Sequence, residues 1–385
     1  MSEKRKICFV LTSKIHYARN KLILEELKKR DDVDLSIVVG ASAILKKYGD
    51  VETWLKRDGF ELSSKITMSL EGGTNVAMAK TTGLGIIEFA SVLENLEPDL
   101  VVVRGDRYET LAVAVAASYM NKCLAHIEGG DLSGTIDESV RHAITKLAHF
   151  HFATNEPARQ RIIKMGEAPK YVFNFGSPDV ELASLNHFEI TNEYLNTIGV
   201  GSKKVDIRQP FLIVIYHPVT TEMASNKQNT KELLQAILEL KTPTIWFWPN
   251  IDAGTDDVSN AIRTFREKTE IDQFVHFLKH LPPEQFLALL KKAACLVGNS
   301  SSGVKECSFM GVPVVNIGSR QQGRLKAENV LDVVPQQQTI IEGIKRQLGH
   351  GPYQKSDIYF KEGSSREIAN ALATLPLYIQ KKFYE

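Results

Sequence analysis

Short apolar runs alternate with amphipathic stretches along this chain, which is the pattern of a parallel sheet covered by helices on both faces. The stretch KLILEELKKR from Lys21 has apolar residues at helical spacing and basic residues in its last turn. The pattern predicts strands in the first half at residues 6–12, 34–40, 99–105, 123–129, 149–155 and 171–177. In the second half it predicts strands at 211–217, 244–250, 273–279, 295–301 and 312–318, with 330–334 as a further candidate.

The alternating pattern is interrupted once, which divides the chain into two predicted domains. Residues 1–182 form an N-terminal Rossmann-like domain, residues 183–209 are polar and form a connector, and residues 210–364 form a second Rossmann-like domain. The last stretch, 365–385, is predicted to be helical and to pack back on the first domain. The fold class is therefore α/β, with two parallel sheets facing across a cleft. Binding proteins and two-domain dehydrogenases share this pattern, but TSKIHYARN after the first strand lacks the GxGxxG of a dinucleotide fold.

Composition narrows the function without identifying it. The chain has 385 residues, 43% hydrophobic and 24% charged, with a net charge of +1, so no overall field attracts nucleic acid or a membrane. The four cysteines are scattered and form no CxxC pair, which predicts buried free thiols in a reducing compartment. The N-terminal apolar run is too short for a signal peptide, and no run approaches ~18 apolar residues. We expect a cytoplasmic protein.

Acidic side chains occur where predicted strands end. Asp106 follows the strand at 99–105, and Glu128 lies at the end of the strand at 123–129. Asp137 begins the next predicted helix near three polar residues, Glu138, Arg141 and His142. Because open α/β sheets bind ligands at the carboxyl edge of their strands, we expect these acids at one edge. Carboxylates with cationic neighbours predict general acid/base chemistry on an anionic substrate.

The second half contains a candidate anion site. In GNSSSGVKE (298–306), small residues with free N–H groups lie between a strand and a helix, and Ser300 and Ser301 add hydroxyl donors. Glu306 is placed to accept from two vicinal hydroxyls, and GSRQQGR (318–324) adds Arg320 and Arg324. A plain helix cap is the alternative for the serines. His217, at the end of the strand at 211–217, is either structural or an acid or phosphate ligand.

Taken together, these motifs resemble the UDP-N-acetylglucosamine 2-epimerase family. GDR, HIEGG, SGTIDESVRHAITKLAH, HPVTTE, PNIDAG, GNSSSG and GSRQQGR occur in order over roughly residues 6 to 330 and resemble its hydrolysing branch. The other branch carries HVEAGLR where this chain has HIEGGDL. The resemblance implies a two-domain fold of the glycosyltransferase-B type. It also implies a reaction that needs no metal and no nicotinamide, in which UDP leaves as a base removes the C2 proton, and water then adds to the 2-acetamidoglucal.

The resemblance also implies roles for individual residues. The catalytic positions match Asp106, Glu128, Asp137, His217 and Arg141. The positions for UDP and the sugar match Lys14, Arg107, His126, Asn250, His280, Ser300, Ser301, Gly303, Glu306 and Arg320, with His126 expected to support its neighbours. Which carboxylate is the base stays open, with Asp137 and Asp106 as the leading pair. Glu138 is expected to be an exposed acid in the first turn of its helix.

One segment departs from the family pattern, and it bears on the substrate. Where the family has T-R-A-[DE]-Y, this chain has Ser13, Lys14, Ile15, His16 and Tyr17. Lysine keeps the charge but loses the bidentate fork of arginine, and His16 replaces an acid. The expected substrate is UDP-N-acetylglucosamine, for sialic acid biosynthesis; the alternative is UDP-2,4-diacetamido-2,4,6-trideoxyglucose, for legionaminic acid biosynthesis. Two other classes of protein compete with the epimerase interpretation: a glycosyltransferase of the same fold and a nucleotide-sugar binding protein without turnover. The family resemblance also implies a homodimer or homotetramer.

Overall fold

The computed structural model describes residues 4–70, 73–201 and 204–385. The described residues form two compact units. Unit 1 comprises Met1–Leu132, Ile136–Leu182 and Tyr359–Glu385, and unit 2 comprises Ser133–Thr135 and Ala183–Ile358. The chain therefore returns to unit 1 near its C-terminus.

Unit 1 is a parallel sheet flanked by helices. Its strands are β1 (Arg5–Leu11), β2 (Val33–Gly40), β3 (Ser64–Ile66), β4 (Leu100–Arg104), β5 (Cys123–Ile127), β6 (Phe150–Ala153) and β7 (Val172–Asn174). Its helices are α1 (Lys14–Lys28), α2 (Val51–Arg57), α3 (Asn75–Leu96), α4 (Tyr108–Tyr119), α5 (Ile136–Leu147), α6 (Glu156–Lys164) and α7 (Pro178–Leu185), the last crossing into unit 2. The three-residue β3 is absent from the predicted strands because so short an edge strand carries no pattern.

The strand order of unit 1 creates a crevice. Among the described residues the sheet has seven strands in the order β3-β2-β1-β4-β5-β6-β7, all parallel where they pair. The order runs in opposite directions from β1 and β4, so these two strands flank the topological switch point. Both faces are buried: Phe9 and Val102 belong to the core on one side, and Cys8 and Val101 to the core on the other. Burial on both faces explains why the strands are near-continuous apolar runs.

Unit 2 repeats this design. Its strands are β8 (Leu212–Ile215), β9 (Thr244–Phe247), β10 (Val275–Leu278), β11 (Cys295–Gly298), β12 (Val314–Ile317) and β13 (Val330–Val333). Its helices are α8 (Asn192–Thr197), α9 (Asn226–Leu240), α10 (Thr255–Lys268), α11 (Pro283–Lys292), α12 (Ser301–Val304), α13 (Glu306–Met310) and α14 (Gln337–His350). Within the described part of the chain the order is β10-β9-β8-β11-β12-β13, so β8 and β11 flank the second switch point. The predicted α/β fold class, with two parallel sheets, is confirmed.

Two segments differ in detail from their expected roles at the boundary. Residues 183–209, which the sequence predicts as a connector, contain α8 and a bridge between Val200 and Phe277, and they belong to unit 2. At the other end, α15 (Ser364–Thr374) lies in unit 1, where Arg5 donates to the carbonyl of Leu372 at 3.0 Å. The C-terminal helix thus packs mainly against α1 in unit 1, and it is shorter than the stretch 365–385 that the sequence predicts to be helical.

The helix α3 is longer and more apolar than expected from the sequence, in which no run approaches ~18 apolar residues. By length and composition alone it could cross a membrane: it has 22 residues, and its best window has a mean hydropathy of 1.4 and is 22% buried. It is also a core element of unit 1, because Phe89 and Leu93 are fully buried against the sheet. One helix of this length and composition is weak evidence for a membrane segment.

The thiol prediction is confirmed: Cys8, Cys123, Cys295 and Cys307 are all free and buried. Burial raises the pKa of Cys8 to about 12 and that of Cys123 to about 11. These thiols are therefore packing side chains in their protonated form.

Candidate functional site

Asp106 lies at the switch point of unit 1, in the loop between β4 and α4. The guanidinium of Arg141, on α5, forms an ion pair with its carboxylate and donates a second bond to the carbonyl of Asp131 at 2.7 Å. The Arg141 side chain is fully buried, whereas that of Asp106 is 27% exposed. The arginine therefore orients a carboxylate that a ligand can still reach. Asp137 lies in the first turn of the same helix and is half-buried.

Glu128 follows β5, but its environment differs from that of Asp106. It is 2% exposed. Arg104 Nε lies 2.9 Å from one carboxylate oxygen, and Arg19 Nη1 lies 3.3 Å from the other. Arg104 is itself 1% exposed and also binds Asp179 at 2.5 Å. Glu128 is thus a buried anion compensated by two cations, unlike the partly exposed Asp106.

The backbone at Glu128 supports the same conclusion. Its φ of 69° is in the left-handed region, which a residue with a side chain adopts at a cost of about 1 kcal/mol or more. The two arginine contacts hold the carboxylate in place and offset this cost. In the structure Glu128 therefore serves to hold Arg104 and Arg19 in place.

His126 lies behind the Asp106 loop. It is fully buried, its Nε2–H donates to the carbonyl of Gly105 at 2.8 Å, and Nδ1 lies 3.2 Å from the Thr145 hydroxyl. Burial lowers the pKa of His126 to about 3, so the ring is neutral. A neutral ring anchors Gly105 and with it the neighbouring Asp106.

Two cationic residues predicted to contact the substrate also lie at this switch point. Lys14 begins α1 and is half-buried, and desolvation lowers the pKa of its ammonium group to about 8. Arg107 is the N-cap residue of α4, and its guanidinium forms two 3.0 Å bonds to the buried carboxylate of Glu109. Glu109 therefore holds Arg107 in one orientation beside Asp106.

In unit 2, Asn299 organises the residues at the switch point. It is fully buried, and its side chain exchanges two 2.8 Å hydrogen bonds with the backbone N–H and carbonyl of His217. Its own carbonyl accepts from Arg320 Nη1 and Gln321 Nε2, each at 3.0 Å. The backbone N–H of Asn250, which follows β9, donates to His217 Nδ1 at 3.3 Å. Asn299 thus joins His217, through its side-chain amide, to Arg320, through its backbone carbonyl, at one edge of the sheet.

The predicted anion site after β11 is less regular than expected. Ser300 is the N-cap of α12 and accepts from the N–H of Ser302 at 3.3 Å, and Ser301 begins the helix. This helix has four residues and ends before α13, so few peptide dipoles are aligned toward an anion. Glu306 begins α13 and is 5% exposed. An anion at this edge would depend on local N–H groups and on Arg320.

Two other residues predicted to bind UDP, Gly303 and His280, do not present a side-chain donor at the switch point of unit 2. A Cβ atom on Gly303 would lie 2.9 Å from side-chain atoms of both Leu296 and Val314, so this glycine lets α12 pack closely on the sheet. His280 is half-buried and follows β10, which is an edge strand two places from β8 in the sheet order. His280 therefore lies away from the switch point.

Arg19, Arg104 and Asn299 are functional candidates that sequence reasoning missed. A signal exists for Arg104, because a charged residue inside the apolar run VVVR is expected to have a buried partner. Arg19 and Asn299 carry no comparable local signal, because their partners, Glu128 and His217, are distant in sequence.

Comparisons with known proteins agree with this fold. A family model described as UDP-N-acetylglucosamine 2-epimerase matches residues 25–373. The chain is 33% identical to a UDP-N,N'-diacetylbacillosamine 2-epimerase (hydrolyzing) of Legionella pneumophila, over 98% of this chain and 97% of the relative. It is 29% identical to a UDP-N-acetylglucosamine 2-epimerase of Neisseria meningitidis serogroup B, over 99% of both chains.

A solved structure shares the fold. The UDP-GlcNAc 2-epimerase from Neisseria meningitidis, bound to UDP-GlcNAc, aligns with a TM-score of 0.78 over 95% of this chain and 99% of the other. Its sequence is 17% identical. At that identity the likeness establishes the architecture, which is of the glycosyltransferase-B type.

Proposed function

Because the chain belongs to the UDP-N-acetylglucosamine 2-epimerase family, we propose that it is a hydrolysing 2-epimerase. It converts a UDP-2-acetamido sugar into UDP and the free sugar inverted at C2. The observation that carries the proposal is the Asp106–Arg141 pair, which offers an accessible carboxylate, oriented by a buried arginine, at the switch point of a parallel sheet.

The chemistry requires a base and an acid near the same two carbons. In the first step a carboxylate takes the C2 proton, the electron pair forms the C1–C2 double bond, and the C1–O bond to UDP breaks. In the second step water adds its oxygen to C1, and a proton is delivered to C2 on the opposite face. We propose Asp106 and Asp137 as the acid/base pair, since both side chains are partly exposed.

Glu128 and Arg141 have supporting parts in this proposal. Arg141 holds Asp106 in position, and Glu128 keeps Arg104 and Arg19 in place beneath the site. The weakly acidic C2 proton is removed only as negative charge on the leaving diphosphate is stabilised. Lys14 and Arg107 are the cations of unit 1 that we assign to that charge.

We assign UDP recognition to unit 2. Arg320 supplies a guanidinium, Ser300 and Ser301 supply hydroxyl and N–H donors, and Glu306 supplies the carboxylate for the ribose hydroxyls. His217 is assigned to the diphosphate or to proton transfer, since the N–H of Asn250 donates to its Nδ1 and so leaves the proton on Nε2. We also propose that the protein is cytoplasmic, because its four free thiols suit a reducing compartment. A homodimer or homotetramer is proposed only because the family resemblance implies it.

Two substrates are supported. The first is UDP-N-acetylglucosamine, which would yield N-acetylmannosamine for sialic acid biosynthesis, and the 29% identical relative carries the corresponding name. The second is the 2,4-diacetamido-2,4,6-trideoxy sugar of UDP-N,N'-diacetylbacillosamine, for legionaminic acid biosynthesis. The 33% identical relative, named as a hydrolysing enzyme for that substrate, supports the second candidate and hydrolysis as such.

The test is proton NMR of the purified protein with UDP-N-acetylglucosamine, without added metal, in deuterated water. We expect UDP and free N-acetylmannosamine carrying deuterium at C2. The product UDP-N-acetylmannosamine would refute hydrolysis. Without turnover, UDP-N,N'-diacetylbacillosamine is tested in the same way, and binding of both without consumption of either would refute an enzymatic role.

Neighbouring acids on α5 provide a matched control. Asp137→Asn is expected to abolish UDP release, whereas Glu138→Gln, with a side chain 33% exposed and 4.0 Å from His142, is expected to retain it. Asp106→Asn should resemble Asp137→Asn. Full turnover in both Asp variants would refute the assignment of the acid/base pair.

A further inference from the structure

His16 has no part in the proposed function so far, yet it lies at the same switch point. It is on the first turn of α1, is 5% exposed, and its backbone N–H donates to the N-cap hydroxyl of Ser13 at 3.3 Å. The first turn of α1 therefore holds the backbone of His16 in a defined position, from which its imidazole ring extends. The segment is also the one that departs from the family pattern.

The hydrogen bonds of the ring assign its tautomer. Nδ1 lies 3.4 Å from the backbone nitrogen of Thr12 and 3.1 Å from its hydroxyl. A backbone N–H only donates, so Nδ1 is the acceptor and the proton resides on Nε2. His16 therefore presents a donor on the far side of its ring.

That donor is directed at the loop that carries Asp106. Gly105 has a φ of 84°, and a Cβ atom built there would lie 3.5 Å from His16 Nε2, so the ring reaches the loop backbone. In the described part of the chain, no hydrogen bond is made by Nε2. Nε2 is not one of the side-chain atoms sealed from solvent, so its N–H is within reach of a ligand acceptor.

The charge of the ring is also determined. Burial, together with the positive charge of Arg107, lowers the pKa of His16 to about 3, although Asp106 acts in the opposite direction. The imidazole is therefore neutral at physiological pH. Unlike the acid that it replaces in the family pattern, it donates to an oxygen and does not repel a diphosphate.

Resting on the proposed function, we propose that His16 is a substrate-binding residue whose Nε2–H donates to an acceptor oxygen of the UDP-amino sugar beside Asp106. The acceptor is a diphosphate oxygen or an acetamido carbonyl, which are the most strongly accepting oxygens of such a substrate near its reacting carbons. An aspartate at this position would accept from a hydroxyl instead. The exchange thus changes which substrate group is recognised at this point.

The experiment compares four variants of the full chain by UDP release from the sugar that the wild type consumes. His16→Ala is expected to raise KM about tenfold, with kcat within about threefold, because one buried hydrogen bond is lost. His16→Gln should restore KM, because its amide nitrogen lies near the position of imidazole Nε2. His16→Asn should not restore KM, because its amide nitrogen lies near the position of Nδ1. His16→Asp should raise KM more than His16→Ala does, because a carboxylate cannot donate and repels the diphosphate.

Product inhibition by UDP distinguishes the two acceptors. A rise in the inhibition constant for UDP in His16→Ala that equals the rise in KM assigns the bond to the diphosphate, and an unchanged constant assigns it to the sugar; both support the proposal. If the alanine variant does not fold, the Gln/Asn pair decides.

Two results would overturn the inference alone: an active wild type with unchanged KM in His16→Ala, or equal impairment of the Gln and Asn variants with a lowered melting temperature. A wild type that consumes neither UDP sugar would overturn the proposed function itself, and this inference with it.

Discussion

Replacing Glu128 with glutamine tests whether this carboxylate is a buried structural charge. The change keeps the shape of the side chain but removes the anion between Arg104, at 2.9 Å, and Arg19, at 3.3 Å. Removing one partner of a buried ion pair costs about 3–5 kcal/mol. Asp179 still compensates Arg104, at 2.5 Å, so we expect a smaller loss in the free energy of unfolding, about 2–3 kcal/mol.

The expected loss is large enough to measure. For a unit of this size, 1 kcal/mol shifts the melting temperature by about 2–4 °C, so Glu128→Gln should melt roughly 4–12 °C below the wild type. Differential scanning calorimetry is the assay, because it measures the melting temperature directly. Asp137→Asn is the matched control: its half-buried carboxylate contributes about 0.3–1 kcal/mol through the helix dipole, so its transition should shift by at most about 4 °C.

A double-mutant cycle isolates the contact itself. Glu128→Gln and Arg104→Met, alone and together, should give a coupling of about 1 kcal/mol or more, because each removes the other's partner. If Glu128→Gln melts within about 2 °C of the wild type while UDP release is lost, the reasoning is refuted. Glu128 would then act on the substrate, and its buried ion pairs would contribute little to stability.

Three further outcomes follow from the structure. Because the folded pKa of His126 is about 3, against 6.5 when unfolded, its share of the stability should fall by about 2 kcal/mol between pH 7 and pH 5. Urea unfolding at pH 7 and 5 measures the pH dependence, and His126→Gln should reduce it by about that share, while buried His16 keeps a similar one. Gly298→Ala should lower the free energy of unfolding by about 3 kcal/mol or more, since the φ of Gly298 is 135° and the added Cβ would lie 2.0 Å from the carbonyl oxygen of Ile215. Gly349→Ala is the control, because a Cβ there has nothing within 4 Å, and its melting temperature should be unchanged or raised. Arg320→Ala should weaken UDP binding about tenfold or more in titration calorimetry. The melting temperature should change little, because Gln321 still donates to the Asn299 carbonyl, and unchanged affinity would remove Arg320 from the UDP site.

The strands and the edge residues were predictable because their signals are local. Apolar runs such as CLAHI and LIVI are needed wherever a strand is buried on both faces, so they mark β5 and β8 without knowledge of the fold. Asp106 and His217 are identifiable because each polar residue directly follows such a run. Strand β3 and the break between α12 and α13 were not predictable, because each depends on a few residues whose pattern is too short.

The sequence by itself determined the alternation of strands and helices, the two-part organisation and the polar residues at strand ends, since each follows from burial over a few neighbouring positions. Only the tertiary structure decided the strand order that makes β1 and β4 neighbours and so brings His16 to the Asp106 loop. It also decided that Asp106 stays accessible while Glu128 is sealed between two arginines, although both follow apolar strands. The physical reason is that a side chain's charge environment comes from partners distant along the chain, here Arg141 for one acid and Arg19 for the other.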